Sequence, residues 1–312
     1  MATNAKSRKW KQAILAVVAV LALVIVVVRT TAKAKGPMTF QTPEEAGKAL
    51  DQAAKNGNQA TLTRILGGET KALLLTGDKD ADKGGLDKFT SKYQQMNRWV
   101  EMSDGSRVLY IGADNFAFPV PLAKNESGRW YFDGVAGAEE LRAREVGRNE
   151  LLAIDACAAM ANAEQIYAED YSQSGEYAQR IISTAGNQDG LYWPVSQGEA
   201  PSPLGNLNEF AKSSLTSVSP DQPLVIDGYT FRILTAQGDE APGGAVNYMV
   251  DGKMSGGFAI LATPVKYGET GIMTFMTGPN GVVYERDLGP DSVKIAESVQ
   301  DFNPTDDWSL IE

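Results

Sequence analysis

The sequence predicts an α+β protein: an N-terminal export helix, a small helix-plus-curved-sheet domain, then a long helix packed on an antiparallel sheet. Three observations predict this. A cationic lead precedes an uninterrupted apolar run near the start of the 312 residues. Two stretches of helical periodicity are each followed by several short runs bounded by Gly, Pro and Asn, the pattern of helices against antiparallel strands. The roughly 275 residues beyond the leader suit two domains of ordinary size. The boundaries read as 1–36 (signal peptide or membrane anchor with linker), 37–135 and 136–312.

The leader carries Lys6, Arg8, Lys9 and Lys11 with no acid, then runs apolar from Ala13 to Val28 and stops at Arg29. Positive charge stays on the cytoplasmic side, so this is the form of a signal sequence or a signal anchor. Sixteen residues rise about 24 Å as a helix. That is a little short of the roughly 30 Å hydrocarbon core. Two outcomes are open. Cleavage after Ala32-Lys33-Ala34 releases a periplasmic or otherwise extracytoplasmic protein. Retention leaves a single span anchored by residues 13–28, with Trp10 at one interface and Arg29 at the other.

Thr42-Pro43-Glu44-Glu45 has a capping Thr, Pro in the first turn and acids at the positive end of the dipole, which starts a helix. Ala46, Ala49, Leu50, Ala53 and Ala54 keep helical spacing until Asn56-Gly57. A second short helix spans Thr61 to Leu66 and stops at Gly67-Gly68. Thr76 to Gly85 reads as a solvated acidic loop. An amphipathic helix around Phe89 to Met96 precedes strands near Trp99–Met102, Arg107–Ile111, Ala117–Ala123 and Arg129–Phe132. Gly137 to Tyr171 carries the longest helical signal, charged at first and Ala-rich later. A loop rich in Gly, Pro and Ser leads to Pro203-Leu204-Gly205 and a short helix near Leu207–Lys212. Strands follow at Tyr229–Ala236, Asn247–Val250, Gly257–Pro264, Gly271–Thr277 and Val282–Asp287, and Val293–Val299 closes the chain as a helix.

Residues 1–36 hold seven of the 29 basic groups and none of the 39 acids, leaving 22 basic against 39 acidic groups and a net charge of −17. Such a body repels phosphate backbones, which excludes a nucleic-acid partner. There is no histidine, so Ser-His-Asp and Cys-His catalysis and His-ligated metals are excluded. The single cysteine, Cys157, sits in the Ala-rich helix as a small hydrophobe. No cofactor, metal-ligand set or catalytic set emerges. Asp78, Asp80 and Asp82 fail the calcium-loop pattern, which wants Gly sixth and Glu twelfth; here those positions are Lys83 and Phe89.

The blocks Trp130-Tyr131-Phe132-Asp133, Gly147-Arg148-Asn149-Glu150-Leu151, Asp189-Gly190-Leu191-Tyr192-Trp193-Pro194 and Ser202-Pro203-Leu204-Gly205 occur in that order. They are followed by Gly228 to Gly238, Gly256 to Ala259 and Tyr267 to Phe275. In that order and spacing the chain resembles the exported bacterial family designated domain of unknown function 2950, over nearly everything from Phe40 to Trp308. The resemblance implies export and brings no activity with it. The first domain is similar in architecture to nuclear-transport-factor-like or cystatin-like domains. The helix Asn149–Tyr171 with the later strands resembles the headgroup of type IV pilin-like proteins. In pilins, however, the hydrophobic segment begins that same helix, whereas here a whole domain intervenes.

Candidate binding residues come from the blocks. Asp189, Tyr192 and Trp193 lie in a Gly/Pro-rich loop, where an aromatic pair beside a carboxylate suits a sugar ring; the alternative is that the aromatics pin the loop to the sheet. Arg148, Asn149 and Glu150 fit either a ligand or a hydrogen-bond network at the domain junction. Arg232 and Gln237 flank a strand and fit the anchoring of a neighbouring loop. The sequence thus points to a cell-envelope protein acting as a non-enzymatic binding or assembly module. Its partner would be an envelope protein or a glycan, with the membrane a further partner if the leader is uncleaved. Two alternatives are a histidine-free glycan hydrolase using paired carboxylates and a pilin-like or secretion-system accessory subunit.

Overall fold

The computed structural model describes residues 36–74, 77–196, 198–205 and 223–311. The apolar run 13–28 and the helix expected near Leu207–Lys212 lie outside the described residues, and among the described residues no helix is long and apolar enough to cross a membrane. The protein is α+β, with helices packed on antiparallel sheets. It divides into two compact units, one ending at Glu140 and the other starting at Leu141.

In the first unit, α1 (Pro43–Lys55) begins as its cap dictates: the Thr42 hydroxyl accepts from the Glu45 amide. Gly57, at φ +58°, turns the chain out of it. Asn58 caps α2 (Gln59–Leu66) by accepting from the Thr61 amide, and α3 (Lys71–Leu74) is a single turn. The acidic stretch expected as a solvated loop is instead the start of α4 (Lys79–Gln95). The Asp78 carboxylate accepts from the Asp80 and Ala81 amides, and Asp80 and Asp82 occupy the positive end of the dipole. Gly84 and Gly85 each cost about 1 kcal/mol in a helix interior. Packing of Leu86, Phe89 and Tyr93 against the core offsets this.

A five-stranded sheet faces these helices: β1 (Asn97–Glu101), β2 (Arg107–Ile111), β3 (Phe116–Ala117), β4 (Leu122–Lys124) and β5 (Trp130–Phe132). Its order is β1-β2-β4-β5, with β3 also on β2. The strand expected over Ala117–Ala123 is therefore two pieces. Pro119 and Pro121 lack amide donors, so the ladder cannot run through them. Leu50, Ile65, Leu109, Ile111, Leu122 and Phe132 form the centre of the core.

The division between units falls within α5 (Gly134–Ile166), which ends in a π-helical turn, Tyr167–Tyr171. Its small residues Ala153, Ala156 and Ala163 let the sheet of the second unit approach closely. That sheet starts with β6 (Leu224–Ile226) and β7 (Tyr229–Leu234), joined by Asp227-Gly228 with both residues at positive φ, the hairpin geometry of a type I′ turn. Two small ribbons follow, β8 (Ala236–Gln237) with β9 (Val246–Asn247) and β10 (Met249–Val250) with β11 (Lys253–Met254). The sheet resumes with β12 (Ala259–Pro264), β13 (Met273–Thr277) and β14 (Val283–Asp287). After α6 (Ser292–Ser298) it ends in β15 (Ser309–Leu310), giving the meander order β15-β14-β13-β12-β7-β6. Every residue of β12 is buried because both faces are covered. Ile260 and Ala262 meet the α5 side; Ala259 and Leu261 join the cluster that holds Ala296 and Phe302.

Candidate functional site

The first unit contains an apolar cavity of about 240 Å³. Leu50 and Ala54 of α1, Leu62 and Leu66 of α2, and Leu86 and Phe89 of α4 wall it, with Phe118 from the sheet. Apart from Lys71, the polar side chains of the wall are occupied. The Thr63 hydroxyl donates to the Gln59 carbonyl at 2.9 Å, and that of Thr70 donates to the Leu66 and Gly67 carbonyls. Asp82 accepts from the Gly77 amide. Gly85 also lines the cavity, and a Cβ there would meet no atom within 4 Å. The interior therefore selects for apolar surface, and it has room for it.

The sequence-derived candidates lie in the second unit. Asn149 and Glu150 are brought together with one loop: Asn149 Nδ2 donates to the Thr270 carbonyl at 3.0 Å, and Glu150 Oε1 accepts from the Ile272 and Met273 amides at 2.9 and 3.0 Å. Arg148 is exposed and stands near Asp227, whose carboxyl is raised by burial against the opposing pull of that guanidinium. Asn149 and Glu150 thus tie α5 to the loop before β13. Both oxygens of Asp189 are engaged, Oδ1 by the Thr184 amide at 2.8 Å and Oδ2 by the Thr184 hydroxyl at 2.9 Å, with Arg180 Nε 3.6 Å away. Burial pushes the Asp189 pKa up, but these donors outweigh it and hold the carboxyl below the usual range.

Tyr192 is buried in the cluster shared with α5. Trp193 is 6 % exposed, its ring edge-on to Tyr171 at 4.9 Å between centroids. Neither ring presents a face on which a sugar could stack. Gly190 allows this closeness, since a Cβ there would lie 2.8 Å from the Ser183 amide. Arg232 Nη2 donates to the Ala296 and Val299 carbonyls, closing the C-terminal end of α6. Gln237 donates to the Pro242 and Gly244 carbonyls and accepts from the Tyr248 hydroxyl. Arg232 lines a groove of about 810 Å³ with Ile181, Val225, Val265 and Val293. That groove starts at Pro223, where description of the chain resumes after residue 205.

The sequence carries no sign of the cavity while Gly85 is read in a loop; only its place inside α4 makes it a signal. A glycine inside an amphipathic helical pattern marks either a cost accepted or a space kept open. Among the described residues no group of three or more His, Cys, Asp or Glu is placed to hold a metal ion. Cys157 is fully buried and its thiol is pushed up to about 12, so it stays protonated and inert at neutral pH.

A family model described as protein of unknown function (DUF2950) matches residues 37–311. No curated protein and no solved structure matches the chain.

Proposed function

We propose, for a chain that belongs to the DUF2950 family of proteins of unknown function, that it is a non-enzymatic binding module of the cell envelope whose ligand occupies the apolar cavity of the first unit. The observation that carries this is an apolar pocket of about 240 Å³ in whose wall the Thr63 and Thr70 hydroxyls are already hydrogen-bonded. Apolar cavities stay dry and take apolar ligands; one of about 150 Å³ holds a benzene ring. The hydrolase reading finds less support, because Asp189 is engaged by Thr184 and Trp193 is buried against Tyr171.

The test is Gly85→Leu. Leucine is the better helix former by about 1 kcal/mol. The variant should therefore fold and melt no lower than the parent, while its side chain occupies the open space. Octanol or a small aromatic should raise the melting temperature of the parent and leave that of Gly85→Leu unchanged. Equal shifts in both proteins, or none in the parent, would sink the reading.

A further inference from the structure

Resting on that reading, we infer that the cavity is built for a free single-chain amphiphile with an anionic head, a medium-chain fatty acid in chemical class, with Lys71 meeting the head. Six carbons in about 150 Å³ scale to roughly nine or ten carbons in a cavity of about 240 Å³. That is a short acyl chain and too little room for a long one. The head has to stay at the mouth, because the inner polar atoms Thr63 Oγ1 and Thr70 Oγ1 already donate to backbone carbonyls.

Lys71 is the one basic residue in the wall, and it is exposed. Its ammonium has no ion-pair partner among the described residues. Asp82, the one acid in the wall, is buried, accepts from the Gly77 amide and lies in the first turn of α4, where the helix end offsets its charge. The wall therefore presents a cation without an ion-pair partner, beside an acid stabilised by the α4 N-terminus and the Gly77 amide. The acidic body disfavours anions at long range, but that field is screened beyond about 10 Å at 0.1 M salt, leaving the local cation to decide. A neutral head would gain nothing from Lys71, and a cationic head would be repelled by it.

The experiment is calorimetric titration of the parent protein and Lys71→Met with decanoate, decanol, decylamine and hexadecanoate at pH 8, in low and in high salt. The parent should prefer decanoate to decanol by about 1.5-fold to fivefold, the range of an exposed charge pair. High salt should shrink that preference. Lys71→Met should bind decanol as the parent does and lose the preference for decanoate. Hexadecanoate should bind more weakly than decanoate. Decanol binding equal to or tighter than decanoate, or a preference that survives in Lys71→Met, overturns the head-group assignment and leaves the cavity reading standing. Tighter binding of hexadecanoate overturns the chain-length assignment. Failure of all four compounds overturns both.

Discussion

Glu164 brings a carboxyl into the interior of the second unit with only half of its hydrogen-bonding capacity met. The residue is 0 % exposed; Oε2 accepts from the Ala178 amide at 2.8 Å, while Oε1 is buried without a partner. Burial pushes its pKa well above the usual carboxylate range, and the Ala178 N–H opposes this only in part. The folded protein therefore holds this proton more tightly than the unfolded chain does, whose glutamates titrate near about 4.3. The stability tied to the neutral form is fully present below that value and is lost as pH rises through the folded pKa. Within the window the loss reaches at most about 1.4 kcal/mol per pH unit. Glu164→Gln keeps an acceptor for Ala178 and removes the titration. The stability difference between parent and variant should move toward the variant as pH rises from 4.5 to 8 in parallel urea melts. A difference flat across that range would show that Glu164 does not titrate on folding. Nothing local signals this residue, because a glutamate in an Ala-rich helix reads as solvated until the helix is set against the Tyr177–Ala178 segment. Cys157, about two turns earlier on the same helix, was legible for the opposite reason: a small apolar side chain at a core spacing has one place to go.

At the scale of elements, legibility followed the caps. The Thr42 cap and the Asn56-Gly57 stop placed α1 because each acts within four residues. The start of α4 was misread since Asp78 does the same work as Thr42, yet the three acids and two glycines around it look like a solvated loop until the apolar face of Leu86, Phe89 and Tyr93 is paired with α1 and α2. β6 went unseen although Asp227-Gly228 is a strong hairpin signal, because three residues are too few to show alternation. α6 was legible as a helix, but what closes it was not. Its last carbonyls are met by Arg232 from β7, some 60 residues earlier in the chain, as the Ala296 and Val299 contacts of 2.7 and 2.6 Å show. Charged hydrogen bonds of this kind are worth about 1.5–3 kcal/mol together with the burial they require. Arg232→Met should lower stability by about 2 kcal/mol. Hydrogen exchange should show the Ile295 and Val299 amides losing protection while β12 and β13 keep theirs. Unchanged protection of α6 in a stably folded variant would rule out the closing role.

For the whole molecule, the candidate site was the least legible part, and the reason is physical. Asp189, Trp193, Asn149, Glu150 and Gln237 stand out in a sequence because they are polar or aromatic residues among glycines and prolines. The fold uses them to tie long loops down, where backbone amides and carbonyls need partners. The cavity arises from volume that four helices, α1 to α4, and Phe118 leave unfilled, which is a property of no single window. Net charge, by contrast, is a property of the chain as a whole. Removing residues 1–36 takes the net charge from −10 to −17, with 22 basic groups left against 39 acids. Export is proposed from the Lys and Arg residues that precede the apolar run, because positive charge beside such a run is what orients it. Expressed with its leader in a bacterium, the protein should be recovered from the envelope. Intact-mass measurement should give either a chain beginning at Lys35, after cleavage behind Ala34, or the full chain in the membrane fraction. Full-length protein found soluble in the cytoplasm would contradict the export reading, and with it the supposition that the cavity meets its ligand outside the cell membrane.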